Sequence, residues 1–211
     1  ITIRLIMHTS DSNDKPFRQT WILLAAVLLI GFSRHIPLSY PSLYNFSPVL
    51  AIFLISGAFL KGKASWAAPM TAVLISDILI NPSYGASLLE PFSLITLLSY
   101  GIIFALGNQV GPKTGVLRFS FGYGLCSALV FHALTCGFAW WINPFYAKSA
   151  TGFLQALTLG EPGYAPAYLF LRNSIMSTIF FSVLFYWVAS YDSKKSKREE
   201  LRRLGPGAAR L

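Results

Sequence analysis

Six apolar runs separated by short polar segments are the feature that most constrains this chain. An α-helix needs roughly 20 residues to cross a bilayer, and the last four runs approach or exceed that length. The first two runs are shorter, and they reach it only if their flanks continue the helix. We therefore predict an all-α polytopic membrane protein with six transmembrane helices, at Thr20–Ser33, Ser47–Leu60, Ala64–Ile80, Pro91–Asn108, Leu117–Trp141 and Tyr168–Ser190.

The composition agrees with a membrane protein and bounds the domain organisation. Of the 211 residues, 54% are hydrophobic and only 12% are charged, which is too apolar for an ordinary soluble domain. We predict a cytoplasmic arm over residues 1–19, one transmembrane domain over 20–190 and a basic cytoplasmic tail over 191–211. This organisation leaves no room for an additional soluble catalytic domain.

The positions of the basic residues predict the orientation in the membrane. Lys and Arg accumulate in the cytoplasmic segments of membrane proteins. With the N-terminus inside, 14 of the 17 basic residues fall in inner segments, and three, Arg34, Lys148 and Arg172, fall in outer ones. We therefore expect both termini in the cytoplasm. The same distribution accounts for the net charge of +9 without a nucleic-acid partner.

The long connections lie on the outer side in this topology. The inner connections, Lys61–Lys63 and Gln109–Val116, are short, whereas Arg34–Phe46, Asn81–Glu90 and Ile142–Ala167 are longer. Long loops tend to carry function, whereas short loops only connect helices. We therefore expect the functional side of the protein to face outward.

Asp77 is the clearest polar residue at membrane depth. It lies about one turn from the outer end of the third run, where an unpaired carboxylate is unfavourable. Arg34, at the outer end of the first run, and Arg172, at the outer start of the sixth, are the candidate partners at that level. Two interpretations stay open: an ion pair that only braces helices, or a cluster that also contacts a ligand.

His132 and Cys136 lie one turn apart in the fifth run, so both occupy one face of the predicted helix. They are two candidate metal ligands, but a zinc site needs at least three protein ligands, and no third His or Cys joins them. A hydrogen-bonded core histidine is the favoured interpretation, and we predict no metal and no cofactor. The chain has no hydrolase or nucleotide-binding motif, so we do not expect an enzyme.

Aromatic residues collect near the outer boundary of the predicted helices. Membrane proteins carry aromatic belts at both interfaces, and a belt accounts for many of these residues. The inner boundary has far fewer, however, and the excess outside favours an aromatic-lined pocket. The outer residues are Tyr40, Tyr44, Phe46, Tyr84, Trp140, Trp141, Phe145, Tyr146, Tyr164 and Tyr168.

Five short motifs point to a known group of proteins. As a set they resemble an uncharacterised bacterial family of small membrane proteins that is grouped with transport proteins. In span number and pattern, that family is similar to the substrate-binding S components of energy-coupling-factor (ECF) transporters. The resemblance covers residues 20–190. The motifs are Arg34–Pro37, Asn45-Phe46-Ser47-Pro48, Ser76-Asp77, Phe131-His132 with Trp140, and Phe170-Leu171-Arg172-Asn173.

The resemblance implies an S-component-like bundle of six helices in the bacterial cytoplasmic (inner) membrane, with a pocket open to the outside. S components capture vitamins or metal ions and act with a transmembrane coupling subunit driven by two ATPases. Cys136 stands where the family implies an asparagine. On this basis the predicted substrate-binding residues are Arg34, Asn45, Asp77, His132, Arg172 and Asn173.

The chain departs from S components at the helix that contacts the coupling subunit. In S components the first span carries an Ala-x-x-x-Ala pattern, whereas here that span has adjacent alanines only. Small residues four apart occur instead in the third span, at Ala64, Ala68, Ala72 and Ser76. Such a stripe permits close packing within the bundle or docking to a partner subunit, and both interpretations stay open.

The leading functional prediction is a membrane subunit in the lipid bilayer that binds a small, vitamin-like solute for uptake. A structural or accessory subunit of a larger membrane complex is the first alternative, in which the same polar residues only brace helices. A stand-alone secondary transporter that uses Asp77 as a proton site is the second. The sequence does not identify the ligand.

Overall fold

The computed structural model describes residues 28–60, 62, 64–85, 90–111 and 113–204. The predicted N-terminal arm and the first part of the first predicted span lie outside the described residues. Within the described part every regular element is a helix, so the predicted all-α class is confirmed.

Seven main helices make up the described part of the chain. Two short 3₁₀ helices lie between them, at Pro41–Leu43 and Asn81–Tyr84. The main helices are α1 (residues 28–39), α2 (Val49–Phe59), α3 (Ala64–Ile80), α4 (Pro91–Val110), α5 (Arg118–Ile142), α6 (Ala150–Thr158) and α7 (Ala167–Leu204). The first part of α5, Arg118–Gly124, is π-helical.

Local sequence signals explain several of these bounds. Pro91 is the first residue of α4, where its missing N–H costs nothing. Gly111 follows the last residue of α4 with a φ of 66°, a conformation that glycine adopts readily. Ser149 caps α6, because its side chain accepts the Gly152 N–H at 3.2 Å.

Two helices are longer than predicted. α1 continues through residue 39, so Arg34 lies within a helix and not in a connector. The Tyr40 N–H donates to the Ile36 carbonyl at 2.9 Å, and helical bonding therefore continues past Pro37. α7 continues through Leu204 into the predicted tail, because that tail is rich in Lys, Arg and Glu, which are good helix formers.

In the described part of the chain, three helices are long and apolar enough to cross a membrane, and they indicate a membrane protein. They are Pro91–Val110, Arg118–Ile142 and Ala167–Tyr191. α2 is also apolar but contains only 11 residues. The count of six spans and the cytoplasmic termini stay predictions.

α2 is short but central, and it packs against α3, α4 and α7. Most of its residues are buried, on all sides of the helix, which is typical of a helix surrounded by protein. Two glycines permit its close contact with α4. A Cβ atom at Gly57 would lie 2.2 Å from the Phe104 carbonyl oxygen, and one at Gly107 would lie 2.2 Å from that of Leu54. The two helices therefore pack backbone against backbone.

The small-residue stripe of α3 faces the interior at two of its positions. Ala72 and Ser76 are fully buried, whereas Leu79 on another face is 65% exposed. Small buried side chains allow neighbouring helices to approach closely. Packing within this chain therefore accounts for Ala72 and Ser76.

Candidate ligand-binding cavity

A cavity of about 670 Å³ lies at one end of the bundle. The last turns of α1 and α3, the connector between α1 and α2, the start of α2 and the first half of α4 form most of its wall. Phe131 of α5 and Ser174 of α7 complete it. Pockets for small molecules commonly enclose about 300 to 1,000 Å³, so this volume suits a small solute.

Arg34 and Asp77 form an ion pair in the cavity wall. Arg34 Nη1 contacts Asp77 Oδ1 and also donates to Ser76 Oγ at 3.3 Å. The two side chains are 30% and 26% exposed, so the pair is neither buried in the core nor fully in solvent. Opposite charges attract more strongly where water is partly excluded. Of the two candidate partners of Asp77, the structure brings Arg34 into contact with it, whereas Arg172 contacts Asn173.

Asn45 borders the cavity at the tight turn before α2. Its φ of 64° is left-handed, a conformation that Asn tolerates better than most other non-glycine residues. The Phe46 N–H closes the turn by donating to the Leu43 carbonyl at 3.0 Å. As a result Asn45, Phe46 and Ser47 all contribute to the cavity wall.

Arg172 and Asn173 lie behind the cavity wall and hold the connector between α1 and α2. Asn173 is 2% exposed, and its Nδ2 donates to the carbonyl oxygens of Ser42 and Tyr44 at 2.7 and 2.8 Å. Its Oδ1 accepts from Arg172 Nε at 3.1 Å. Neither side chain is part of the wall itself. Their contacts shape the cavity through the connector.

His132 also lies outside the cavity wall and joins α5 to α6. Its side chain is buried, and its Nε2 lies 2.8 Å from the Leu157 carbonyl oxygen. A carbonyl only accepts, so Nε2 carries the proton and Nδ1 is left to accept from the Cys136 thiol at 3.6 Å. Within the described part of the chain, no group of three His, Cys, Asp or Glu side chains is placed to hold a metal ion.

The connection from α5 to α7 forms a separate polar and aromatic cluster. Lys148 Nζ lies 5.7 Å from the centre of a Trp140 ring, and Asn143 Nδ2 donates to Glu161 Oε2 at 2.8 Å. Burial raises the pKa of Tyr146, and the nearby Glu161 carboxylate adds to the effect. Many of the predicted outer aromatic residues belong to this part of the chain, whereas Tyr44 and Phe46 border the cavity.

A model of one protein family matches residues 14–199. The chain belongs to the DUF6580 family, a family of unknown function. The DUF6580 match spans α1 to α6 and most of α7, so it includes the ion pair and the residues behind the wall. No curated protein and no solved structure matches the chain. The likeness to S components stays a prediction.

Most residues of the wall are not among the predicted site residues, and Glu90, Tyr100 and Phe131 are three of them. Tyr100 is 7% exposed and stacks between Phe53 and Phe131, with ring centres 4.8 and 6.0 Å away. Its signal in the sequence is a phenol inside an apolar run, and that of Glu90 is a carboxylate directly before Pro91. Neither signal shows which residues face a cavity, because that depends on the neighbouring helices.

Proposed function

We propose that this chain is a membrane-embedded subunit that binds a small solute for uptake across the bacterial cytoplasmic membrane. The observation that carries the proposal is the cavity of about 670 Å³ with the Arg34–Asp77 pair in its wall. A few polar groups placed in a mostly apolar, concave wall are typical of sites that bind small molecules. The chain provides such a wall from six helices and the connector between α1 and α2.

The position of the cavity supports an uptake role. It lies where α1 and α3 end and where α2 and α4 begin, which is the outer end in the topology predicted from the basic residues. A cavity at that end is reached from outside the cell. The chain carries no nucleotide-binding motif, and the energy for transport would come from a coupling subunit with ATPases, as in S-component systems.

A structural role in a larger membrane complex is the second candidate, and one observation favours it. Asp77 already has Arg34 as a partner, and Arg34 also bonds to Ser76. Asn173 likewise directs its polar atoms at the protein itself. Polar side chains whose atoms already bond to other groups of the protein can brace helices without a ligand.

A charge swap separates the two functions. In the double variant Arg34→Asp/Asp77→Arg the ion pair can form again, but each charge has changed its place in the wall. If the cavity binds solute, we expect native mass spectrometry to find a small molecule on the wild-type protein. The swapped variant should lose it while its melting temperature stays within about 5 °C. Glu161→Gln, which lies outside the cavity, is the matched control and should retain the solute.

Two results would contradict the binding function. A swapped variant that retains the solute fully would show that the pair has only a bracing role. A wild-type protein without solute, isolated in a stoichiometric complex with other membrane chains, would favour the structural subunit. Single variants such as Asp77→Asn are less informative, because they leave the remaining charge of the pair without its partner.

A further inference from the structure

We infer that the surface along which α5 packs on α7 opens to water and forms the passage by which a solute leaves the cavity toward the inner side. This inference rests on the proposed function and adds the route of the solute through the protein. We call this surface the hydroxyl seam. It comprises Ser120 and Gly124 of α5 with Ser174, Thr178 and Ser182 of α7.

The hydroxyl groups of α7 run from the cavity toward the inner end of the bundle. Ser174 is part of the cavity wall, and Thr178 and Ser182 follow it at intervals of four residues. Residues four apart lie on the same face of a helix, about 6 Å from one another along its axis. All three residues are at most 3% exposed. α7 therefore carries a buried line of hydroxyl groups that begins at the cavity.

The seam holds the hydroxyl groups that the fold leaves without a partner. Within the residues that the structure describes, Ser120, Thr178 and Ser182 are buried and their hydroxyls have no hydrogen-bond partner. A buried hydroxyl without a partner costs free energy, and a water molecule that reaches it removes that cost. Alanine or valine would serve packing alone better. The unpartnered hydroxyls therefore weaken the packed seam and favour its opening to water.

The packing of the seam is loose beside Gly124, at the end of the π-helical part of α5. A Cβ atom at Gly124 would lie 3.6 Å from Ser182 Oγ and 3.7 Å from Thr178 Cγ2. These are ordinary contact distances, in contrast to the 2.2 Å found at Gly57 and Gly107. α5 and α7 are thus not in backbone contact at Gly124. Short π-helical segments also occur frequently at functional sites, so both features suit a surface that separates.

Tyr186 closes the inner end of the seam. It continues the line of α7, four positions after Ser182. Its hydroxyl donates to the Thr114 carbonyl in the connection between α4 and α5. Its ring contacts those of Phe59 and Phe119, with ring centres 5.4 Å away in both cases. Contacts of this kind are individually weak, as a closure that opens and closes requires.

Cysteine accessibility tests the passage in protein reconstituted in nanodiscs, where both faces of the membrane meet water. Cys126 and Cys136 are first replaced by Ala. Ser182→Cys is then treated with a water-soluble methanethiosulfonate reagent, which reacts only where water reaches the thiol. We expect it to react at least about tenfold faster than Ser99→Cys. Ser99 is the matched control, because it is also fully buried but lies outside the seam and its hydroxyl bonds within α4.

Two substitutions in the Ser182→Cys background should change the rate in opposite directions. Thr178→Val removes an unpartnered hydroxyl and stabilises the packed seam, so the reaction should slow about fivefold. Tyr186→Phe removes the hydrogen bond to Thr114 and should accelerate the reaction about fivefold. Ser120→Cys, on the α5 side of the seam, is a second probe. It should react like Ser182→Cys, and it decides the test if Ser182→Cys does not fold.

The outcomes separate this inference from the function on which it rests. Reaction at the two seam positions as slow as that of Ser99→Cys would overturn the passage and leave solute binding in the cavity intact. A fast reaction that neither Thr178→Val nor Tyr186→Phe changes would overturn the roles given to the hydroxyls and to the closure. If the seam opens as expected but the wild-type protein carries no solute in native mass spectrometry, the proposed function fails and the opening of the seam stands.

Discussion

At the scale of single residues, the buried hydroxyl groups of the bundle differ in whether they have a hydrogen-bond partner. Ser99 and Ser127 each donate to a backbone carbonyl one turn earlier in their helix, at 2.7 Å. Within the described part of the chain, the hydroxyls of Ser120, Thr178 and Ser182 are buried without a hydrogen-bond partner. A buried hydroxyl with no partner costs free energy. These three side chains are therefore points where the fold is less stable than it can be.

Thr178→Val tests whether a buried hydroxyl without a hydrogen-bond partner lowers the stability of the protein. The substitution keeps the shape of the side chain and removes the unpartnered hydroxyl, so we expect the free energy of unfolding to rise by about 1 kcal/mol. Thr135→Val is the matched control. It removes a hydroxyl that donates to the Phe131 carbonyl at 2.8 Å and should lower that free energy. Unfolding of the purified protein by heat measures both. A loss for Thr178→Val as large as that for Thr135→Val would show that its hydroxyl has a partner.

At the scale of elements, the contact between α2 and α4 organises the bundle. It positions Phe53 of α2 against Tyr100 of α4, whose rings stack at an angle of 11°. Tyr100 continues the stack to Phe131 of α5 and so forms the floor between core and cavity. The contact depends on Gly57 and Gly107, because a side chain at either position would meet backbone of the other helix.

Two glycines of α4 make a matched pair for testing that contact. Gly107→Ala should destabilise the protein by about 2 kcal/mol or more, because its Cβ would meet the Leu54 carbonyl oxygen and backbone has to move. At Gly101 a Cβ would meet only a Trp66 ring atom, at 3.9 Å. Gly101→Ala should therefore be neutral or stabilise the helix by up to about 1 kcal/mol. Equal melting temperatures for the two variants would contradict the close packing of α2 on α4.

At the scale of the whole molecule, the structure and the distribution of charge address different questions. Among the residues that the structure describes, three helices are long and apolar enough to cross a membrane. The basic residues predict which side of the membrane each connection faces, and they favour six spans with both termini inside. The side on which the cavity opens follows from that prediction.

Labelling of single cysteines in intact cells tests the topology. Cys126 and Cys136, the free cysteines of the described part, are first replaced by Ala. With a membrane-impermeant maleimide we expect Tyr164→Cys to react in intact cells, because this exposed residue lies in an outer connection. Lys15→Cys and Lys113→Cys should react only after lysis. Reaction of both Lys15→Cys and Tyr164→Cys from outside would exclude the predicted six spans, because five of them separate these two positions. A fully inverted pattern would place the cavity on the cytoplasmic side.

Much of the fold follows from local sequence signals, and the exceptions have a physical reason. α3 has the predicted bounds Ala64–Ile80, and α4 begins at the predicted Pro91. Hydropathy and helix-start residues act over a few neighbouring positions, so they are visible without the rest of the chain. The end of α1 is different. Pro37 is a local signal for a break, yet helical bonding continues around it.

The sequence by itself determined the all-α class and the position of most helices, because both depend on local propensity and hydropathy. The tertiary structure alone decided how the polar residues are used. Arg34 and Arg172 were equal candidates for Asp77 in the sequence, but Arg34 is its partner and Arg172 supports Asn173 behind the wall. The tertiary structure also placed Tyr100 in the cavity wall. These outcomes depend on which helices are neighbours, and that is set by contacts between residues far apart in the chain, such as the backbone contact at Gly107.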